Sequence, residues 1–577
     1  MFLRSYITFI FAIVLFTGSA AAQTPTPTPT AAPERLGGVP AIAPNYRSDD
    51  RSLPDLGRVG VDMTDQQTLT LAEAITKALE NNKDIEVTRK NVKIAEFDLK
   101  AARGAYEPRF TGQTSYERAT VPNISFFTPD IDKTKSGAFV GNAGFNVPLP
   151  RFGTVFNATV NNQQVRTNNP ISIISPQLNS SITLGVTQPL FRGRGFDQPR
   201  RAVEIAKRNL SLTDTQFRQR TIEIITNVQR AYWDLAYALR NLQVQRDGVR
   251  DAKEQLAHNK RLVDEGQLAP IDVVAAETQV ANFEQFVYDA LNQVGIAENN
   301  LKNMIAANRV DPLWARSITP VDPVDLEAPI TTLPEAIQAA MQNRPELEIN
   351  RAQRDLNEID RRYYAEQKKP QIDLVASYTS AGVGGTLNPD FANPLLRNCQ
   401  ADPTLPECIS AAQAQQALLQ NVGSSGTTYS DIFKNKYPTF RFGIQFNLPL
   451  FGDKTSRAQY GRALVEGEKI EVQREQLEQN IQVDVRNAIQ ALRTAEARLR
   501  AAAVARENSA KQYESEQRKL DNGQSDIYQV LDRQTALMVA RSNELRAQIE
   551  LNKSIAELQR ATGNSLKANN VEARMVK

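Results

Sequence analysis

From Phe440 to Leu450 the chain reads FRFGIQFNLPL, and every second position is apolar: Phe440, Phe442, Ile444, Phe446, Leu448, Leu450. Neighbouring side chains of an extended chain point to opposite faces, so this period predicts a strand with one greasy side. The flanking segments change period. Residues 197–263 and 454–520 show three-four spacing, with Leu477, Ile481, Ala488, Leu492, Ala495 and Leu499 forming one seam. On the order of 65 residues at ~1.5 Å each makes a helical rod of roughly 100 Å. Both rods end at a glycine turn, Val263-Asp-Glu-Gly266-Gln267 and Leu520-Asp-Asn-Gly523-Gln524. A returning helix follows each, and Leu531, Met538, Leu545 and Ile549 carry a seam back.

The same order occurs twice. Leu71-Ala-Glu-Ala-Ile75 matches Leu333-Pro-Glu-Ala-Ile337, Asn81 matches Asn343, and Pro108 matches Pro370, all at one constant offset. Each copy opens on a capping box, Thr70-x-x-Glu73 and Thr332-x-x-Glu335, so each is expected to begin with a helix. Past Pro108 and Pro370 the period becomes two: Phe110, Gly112, Thr114, Tyr116 in one copy and Ile372, Leu374, Ala376, Tyr378 in the other. A second strand returns at Ile182–Phe191 in copy one and at the Phe440 stretch in copy two. The plan of each copy is helix, strand, strand, long helix, turn, long helix. Four strands, or six, cannot close a barrel by themselves, because small barrels need about eight. Residues 138–148 and 154–165 carry the signature of an extra hairpin about Pro150-Arg-Phe-Gly153. It either lengthens an exposed loop or adds two strands to a wall.

Composition narrows the class. The chain has 577 residues, 41% of them apolar, with 68 basic against 65 acidic side chains interleaved rather than blocked, and no nucleic-acid footprint is visible. Arg4, the apolar run Ile7–Phe16 and Ala20-Ala21-Ala22 read as a secretory signal over residues 1–22. Residues 23–63, with TPTPTPT at their start, are expected to be a disordered leader. Repeat one then spans 64–325, repeat two 326–563, and a tail 564–577. Beyond the signal no apolar run approaches the ~20 residues of a membrane-spanning helix, so any crossing must use strands in a closed barrel. Both cysteines, Cys399 and Cys408, lie in one loop-like stretch, and in an exported protein they are expected to form a local disulfide.

Catalytic patterns are missing. No nucleophile elbow, phosphate loop, HExxH or paired-cysteine metal motif is present, so neither an enzyme nor a cofactor or metal is expected. The one histidine, His258, is expected to be a solvated helix residue. Tyr232-Trp233 and Tyr363-Tyr364 are expected to pack where helix meets helix or strand, with a membrane-interface role as the alternative for the latter pair.

The doubled LAEAI/LPEAI openings, Asn343-Arg-Pro-Glu-Leu347, the strand ends VTQPLF and FNLPLF, and the Gly266 and Gly523 turns occur in an order that resembles the TolC-type outer-membrane efflux protein family, from about Thr64 to Gly563. The resemblance implies a mainly α fold with membrane β: a homotrimer whose antiparallel coiled-coil helices form an α-barrel and whose pooled strands form one β-barrel in outer-membrane lipid. It implies a passive channel for small molecules or proteins, with a periplasmic helical extension. A periplasmic adaptor protein would dock at the tips Gly266, Gln267, Gly523 and Gln524, and an inner-membrane pump would supply the energy. Asp532 falls on an acidic entrance position of the family, while Gln529 stands at the other and Asp272 at a latch position. On this reading Phe440, Phe442, Ile444, Phe446 and Leu448 face lipid, and Arg441, Gly443, Gln445 and Asn447 face a watery lumen. A secreted coiled-coil scaffold that never meets lipid is the alternative.

Overall fold

The structure is a computed structural model that describes residues 57–573, apart from 125–127, 129–130, 392–395, 397–398, 400–402, 422 and 449–452. The signal expected at 1–22 and the strand end Pro449-Leu450-Phe451 lie outside the described residues. The leader expected through residue 63 gives way earlier, because strand β1 (Asp62–Leu69) already belongs to the folded unit. Each repeat therefore does not simply begin with a helix: in copy one a strand precedes it. β1 alternates no apolar residues, which is why its period left no trace in the sequence.

Helices α1 (Leu71–Asn81) and α2 (Lys83–Arg103) follow. Four strands come next: β2 (Arg109–Pro122), β3 (Lys133–Pro148), β4 (Val155–Thr167) and β5 (Ile174–Pro189). The long hairpin of repeat one is α3 (Gln198–Asp264) and α4 (Pro270–Ile305), and β6 (Arg316–Pro320) returns to lie parallel to β1. Repeat two gives α5 (Leu333–Asn343), α6 (Pro345–Gln367), β7 (Gln371–Leu387), α7 (Pro406–Asn421), α8 (Ser425–Phe433) and β8 (Tyr437–Asn447). It closes with α9 (Lys454–Asp521), α10 (Ile527–Ala561) and a short α11 (Ser565–Ala568) in the tail.

The two-fold plan is close in helix length: α1 and α5 have 11 residues each, while α3 and α9 have 67 and 68. Both capping boxes form. Thr70 Oγ1 accepts from the Glu73 N–H at 3.2 Å while Glu73 accepts from the Thr70 N–H at 3.1 Å, and Thr332 and Glu335 repeat the exchange.

Two apolar cores hold the helices. Repeat one packs Ile75, Ile85, Ile225, Val228, Leu235 and Leu301 together, and repeat two packs Ala336, Leu347, Ile481, Val485, Leu492 and Leu551. Tyr232, fully buried in the first, accepts from the N–H groups of Val321 and Asp322 at 3.2 Å and bonds the Asp322 carboxylate. Burial raises its pKa above the ordinary phenol value.

Charge is buried beside β6. Glu298 accepts from Arg58 Nη1 at 2.8 Å and from the Ile318 N–H at 2.8 Å, and it lies 3.4 Å from Lys302 Nζ, which donates to the Trp314 carbonyl at 3.0 Å. Arg58 also donates to Ser317 Oγ at 2.6 Å. One carboxylate thus ties the approach to β1, helix α4 and strand β6, and burial holds the Lys302 pKa below its usual value. None of these ion partners is close in sequence except Glu298 and Lys302.

Candidate functional site

Two surfaces stand out, a sheet with two unlike faces and a pair of exposed hairpin tips. The sheet has six strands in the order β2-β3-β4-β5-β7-β8, every neighbouring pair antiparallel. One cross-strand row reads Phe110, Phe145, Ala158, Leu184, Tyr378, Phe440. The row one residue along reads Thr111, Gly144, Thr159, Thr183, Thr379, Thr439 and points to the opposite face. A further polar row is Arg109, Asn146, Asn157, Gly185, Ser377, Arg441. The sheet therefore has an apolar face and a hydroxyl- and amide-rich face, kept in register across all six strands.

The apolar face is bare. Phe440 and Phe442 are each 77% exposed, and Phe110, Phe145, Leu184 and Ile444 are exposed too. Leu448 lies just past the end of β8 and is also exposed. Toward the far end of β7 this same face changes from large to small residues, and helix α8 sits on them. Ser380 Oγ donates to the Ile432 carbonyl at 2.7 Å, and a Cβ on Gly382 would stand 2.1 Å from the Thr428 carbonyl oxygen. The stretch expected to be loop around the cysteines thus contains two helices, and Cys408 is buried on the first of them, bonded to Cys399.

Where the sheet meets the helices, Arg201 bonds Asp360 at 2.8 Å and lies over the rings of Tyr363 and Tyr364. Arg362 covers the buried ring of Phe196 in the same zone. These contacts make the tyrosine pair a packing element of the junction.

At the other end of the long helices the two tips are built alike. The Gly266 N–H donates to the Val263 carbonyl at 3.0 Å and the Gln267 N–H to the Leu262 carbonyl at 2.8 Å. The Gly523 N–H donates to Leu520 at 2.9 Å and the Gln524 N–H to Lys519 at 2.8 Å. Both are Schellman caps, and the glycines take φ of 77° and 67° as that cap requires. Nothing lies within 4 Å of a Cβ at either glycine, so backbone conformation alone demands them.

Beyond the first tip, Asp272 accepts from the Ala269 N–H at 3.1 Å and so caps its own helix. Beyond the second, Asp526 accepts from the Gln529 N–H at 2.9 Å, which makes Gln529 a first-turn residue. Asp532 stays open to solvent, with Arg533 3.9 Å away. Asp272 and Asp532 share no hydrogen bond or ion pair among the described residues. The tip helices pack through Leu520, Ile527, Val530 and Leu531, and Gln279 joins α4 to α10 by a 2.6 Å bond to Thr535 Oγ1. His258, expected to be merely solvated, instead approaches Asp521 at 3.1 Å and links one long hairpin to the other. No period or motif marked this pair, since it joins residues 263 apart.

Among the described residues no helix is long and apolar enough to cross a membrane, and no cluster of His, Cys, Asp or Glu could hold a metal. The sequence profile described as outer membrane efflux protein matches residues 156–307 and 410–564, more than half of the chain and one segment from each repeat. No curated protein sequence matches. Solved structures do: a membrane protein from Pseudomonas aeruginosa is similar at 15% identity and a TM-score of 0.60, over 90% of this chain and 97% of that one. The CmeC outer membrane channel of Campylobacter jejuni is similar at 13% identity and a TM-score of 0.60, over 92% and 98%. The MtrE outer membrane channel of Neisseria gonorrhoeae, in its open state, is similar at 16% identity and a TM-score of 0.55, over 86% and 89%.

Proposed function

The chain belongs to the outer membrane efflux protein family, a family of transport channels and not of enzymes, and from that premise we propose that it works as a trimeric, passive conduit through the outer membrane. Three sheets pool their strands into one barrel with the phenylalanine row toward lipid and the threonine row toward water. The long helices extend the channel across the periplasm, with the tips at the far end.

One observation carries this reading: apolar and polar rows stay in register across all six strands while the apolar one is left uncovered. A bare aromatic face of this extent is costly in water and favourable against acyl chains. A scaffold confined to water leaves that face unexplained. Lumen groups such as Thr159, Thr183 and Thr379 offer solutes neutral hydrogen bonds, with the charges of Arg109, Arg441 and Asp373 set among them on the same face.

Opening belongs to the tips. Gly266, Gln267, Gly523 and Gln524 form exposed turns with no tertiary contact at the glycines, which fits them to meet a periplasmic adaptor protein. Three copies of Asp532 beyond the second tip form an acidic ring at the entrance that favours cationic solutes, while Gln529 contributes no charge. Energy comes from a partner pump in the inner membrane.

Membrane fractionation, detergent extraction and native mass determination test the proposal. A detergent-dependent trimer recovered from the outer membrane is the expected result. A water-soluble monomer or dimer would remove the lipid assignment and the channel with it.

A further inference from the structure

We infer that the β3–β4 hairpin is barrel wall, so that three copies close an eighteen-stranded barrel in which β8 of each copy pairs with β2 of the next. The inference rests on the channel reading above and adds the strand number, the closing edges and the width.

The hairpin is paired on both sides. β3 ladders with β2 along its whole length, from Arg109 opposite Asn146 to Pro122 opposite Lys133, and β4 ladders with β5 from Val155 opposite Thr187 to Val165 opposite Gln177. It stands between the first and last strands of repeat one, so that β2 and β5 pair with it and not with each other. An extension of an extracellular loop would instead project past the ends of β2 and β5.

Its side chains also obey the wall's rule. Phe145, Ala143, Phe156, Ala158 and Val160 fall on the face of Phe110 and Leu184, while Asn142, Gly144, Thr159 and Asn161 fall on the face of Thr111 and Thr183. A one-residue slip would have reversed every one of these. A loop hairpin surrounded by water has no reason to match the lipid and lumen sides of its neighbours.

Parity supplies the closing rule. With six strands all antiparallel, the two edge strands β2 and β8 run in opposite directions. A head-to-tail ring then brings β8 against β2 antiparallel, as the rest of the sheet is built, and leaves no open edge in lipid. An inserted single strand would have broken that pairing; an inserted hairpin preserves it. At ~4.8 Å between strands and a tilt of about 40°, eighteen strands give a backbone diameter of roughly 35 Å, against roughly 24 Å for twelve. Barrels of that strand number hold an aqueous channel.

The test uses the full-length trimer in lipid nanodiscs. Electron cryomicroscopy counts the strands, and four single-cysteine additions, Asn142→Cys, Asn161→Cys, Ala143→Cys and Val160→Cys, are labelled with a membrane-impermeant maleimide; the two native cysteines are already paired. Eighteen strands are expected, with the two lumen-face sites labelled roughly tenfold or more faster than the two lipid-face sites, which acyl chains shield. A twelve-stranded trimeric barrel with all four sites labelled alike would overturn the wall assignment while leaving the channel intact. Absence of any barrel or trimer would overturn the channel reading itself, and this inference with it.

Discussion

Replacing Ile444 by arginine separates the two faces of β8 most sharply. Ile444 lies in the middle of the apolar run from Phe440 to Leu448, with its side chain 61% exposed on the face opposite Leu374 of β7. A cationic side chain at the midplane of a barrel's lipid face costs about 2–4 kcal/mol. That corresponds to roughly a 30-fold to 700-fold loss in the folding equilibrium for each protomer. The neighbouring Gln445→Arg change places the same charge one residue along, on the other face, opposite Asp373. There the guanidinium meets water and a carboxylate, and the expected cost is about 0–1 kcal/mol. Urea-titrated folding into lipid vesicles, read by the gel mobility of unheated samples, measures both. Ile444→Arg should shift the midpoint strongly to lower urea and Gln445→Arg hardly at all. Equal shifts for the two variants would refute the assignment of faces, and with it the reasoning that the phenylalanine row meets lipid.

Three further outcomes are expected. Gly523→Ala adds a methyl group that touches nothing but forces a residue with a side chain to φ near 67°, costing about 1–2 kcal/mol locally; hydrogen exchange should rise around the second tip while the sheet stays protected. Glu298→Ala leaves the buried Lys302 and Arg58 without their carboxylate and should destabilise the helical region by about 3–5 kcal/mol, whereas Asp65→Ala, which removes an exposed partner of Arg316, should cost under about 1 kcal/mol; thermal melting of the paired variants checks this. Asp532→Asn removes three charges from the trimer's entrance and should lower the cation preference in planar-bilayer reversal potentials, while Gln529→Asp should raise it.

Much of the architecture was legible because it is periodic. The long helices begin and end within a residue or so of the expected bounds, and both tips and both capping boxes form where glycine and Thr-x-x-Glu stood. Local chemistry dictates those features, so a linear reading reaches them. What escaped was set by distant partners. β1 is polar along most of its length and exists because β6, some 250 residues later, lies beside it. The Arg58–Glu298–Lys302 cluster and the His258–Asp521 contact likewise join residues that carry no shared pattern. The β3–β4 alternation was visible, but only pairing to β2 and β5 tells a wall from a loop. The α7 and α8 helices were hidden by a small-residue, low-periodicity stretch, and α8 takes its seat from the glycines of β7 beneath it.

The seat of α8 on β7 has a consequence for how the barrel rides in its membrane. Acyl chains and a helix cannot cover the same patch of wall, and α8 occupies Ser380, Gly382 and Gly384. Tyr378, one outward position earlier, carries its ring beside Phe440 and its hydroxyl against Asn435 at the foot of that helix. On the proposed lipid assignment, the hydrocarbon edge on this strand would fall within a single step of two residues, about 7 Å. If the proposed barrel sits in lipid, α8 would act as a waterline stop: the barrel could sink until the helix met the headgroups and no further, so its draught would be fixed from outside the wall, independently of how wide the ring is.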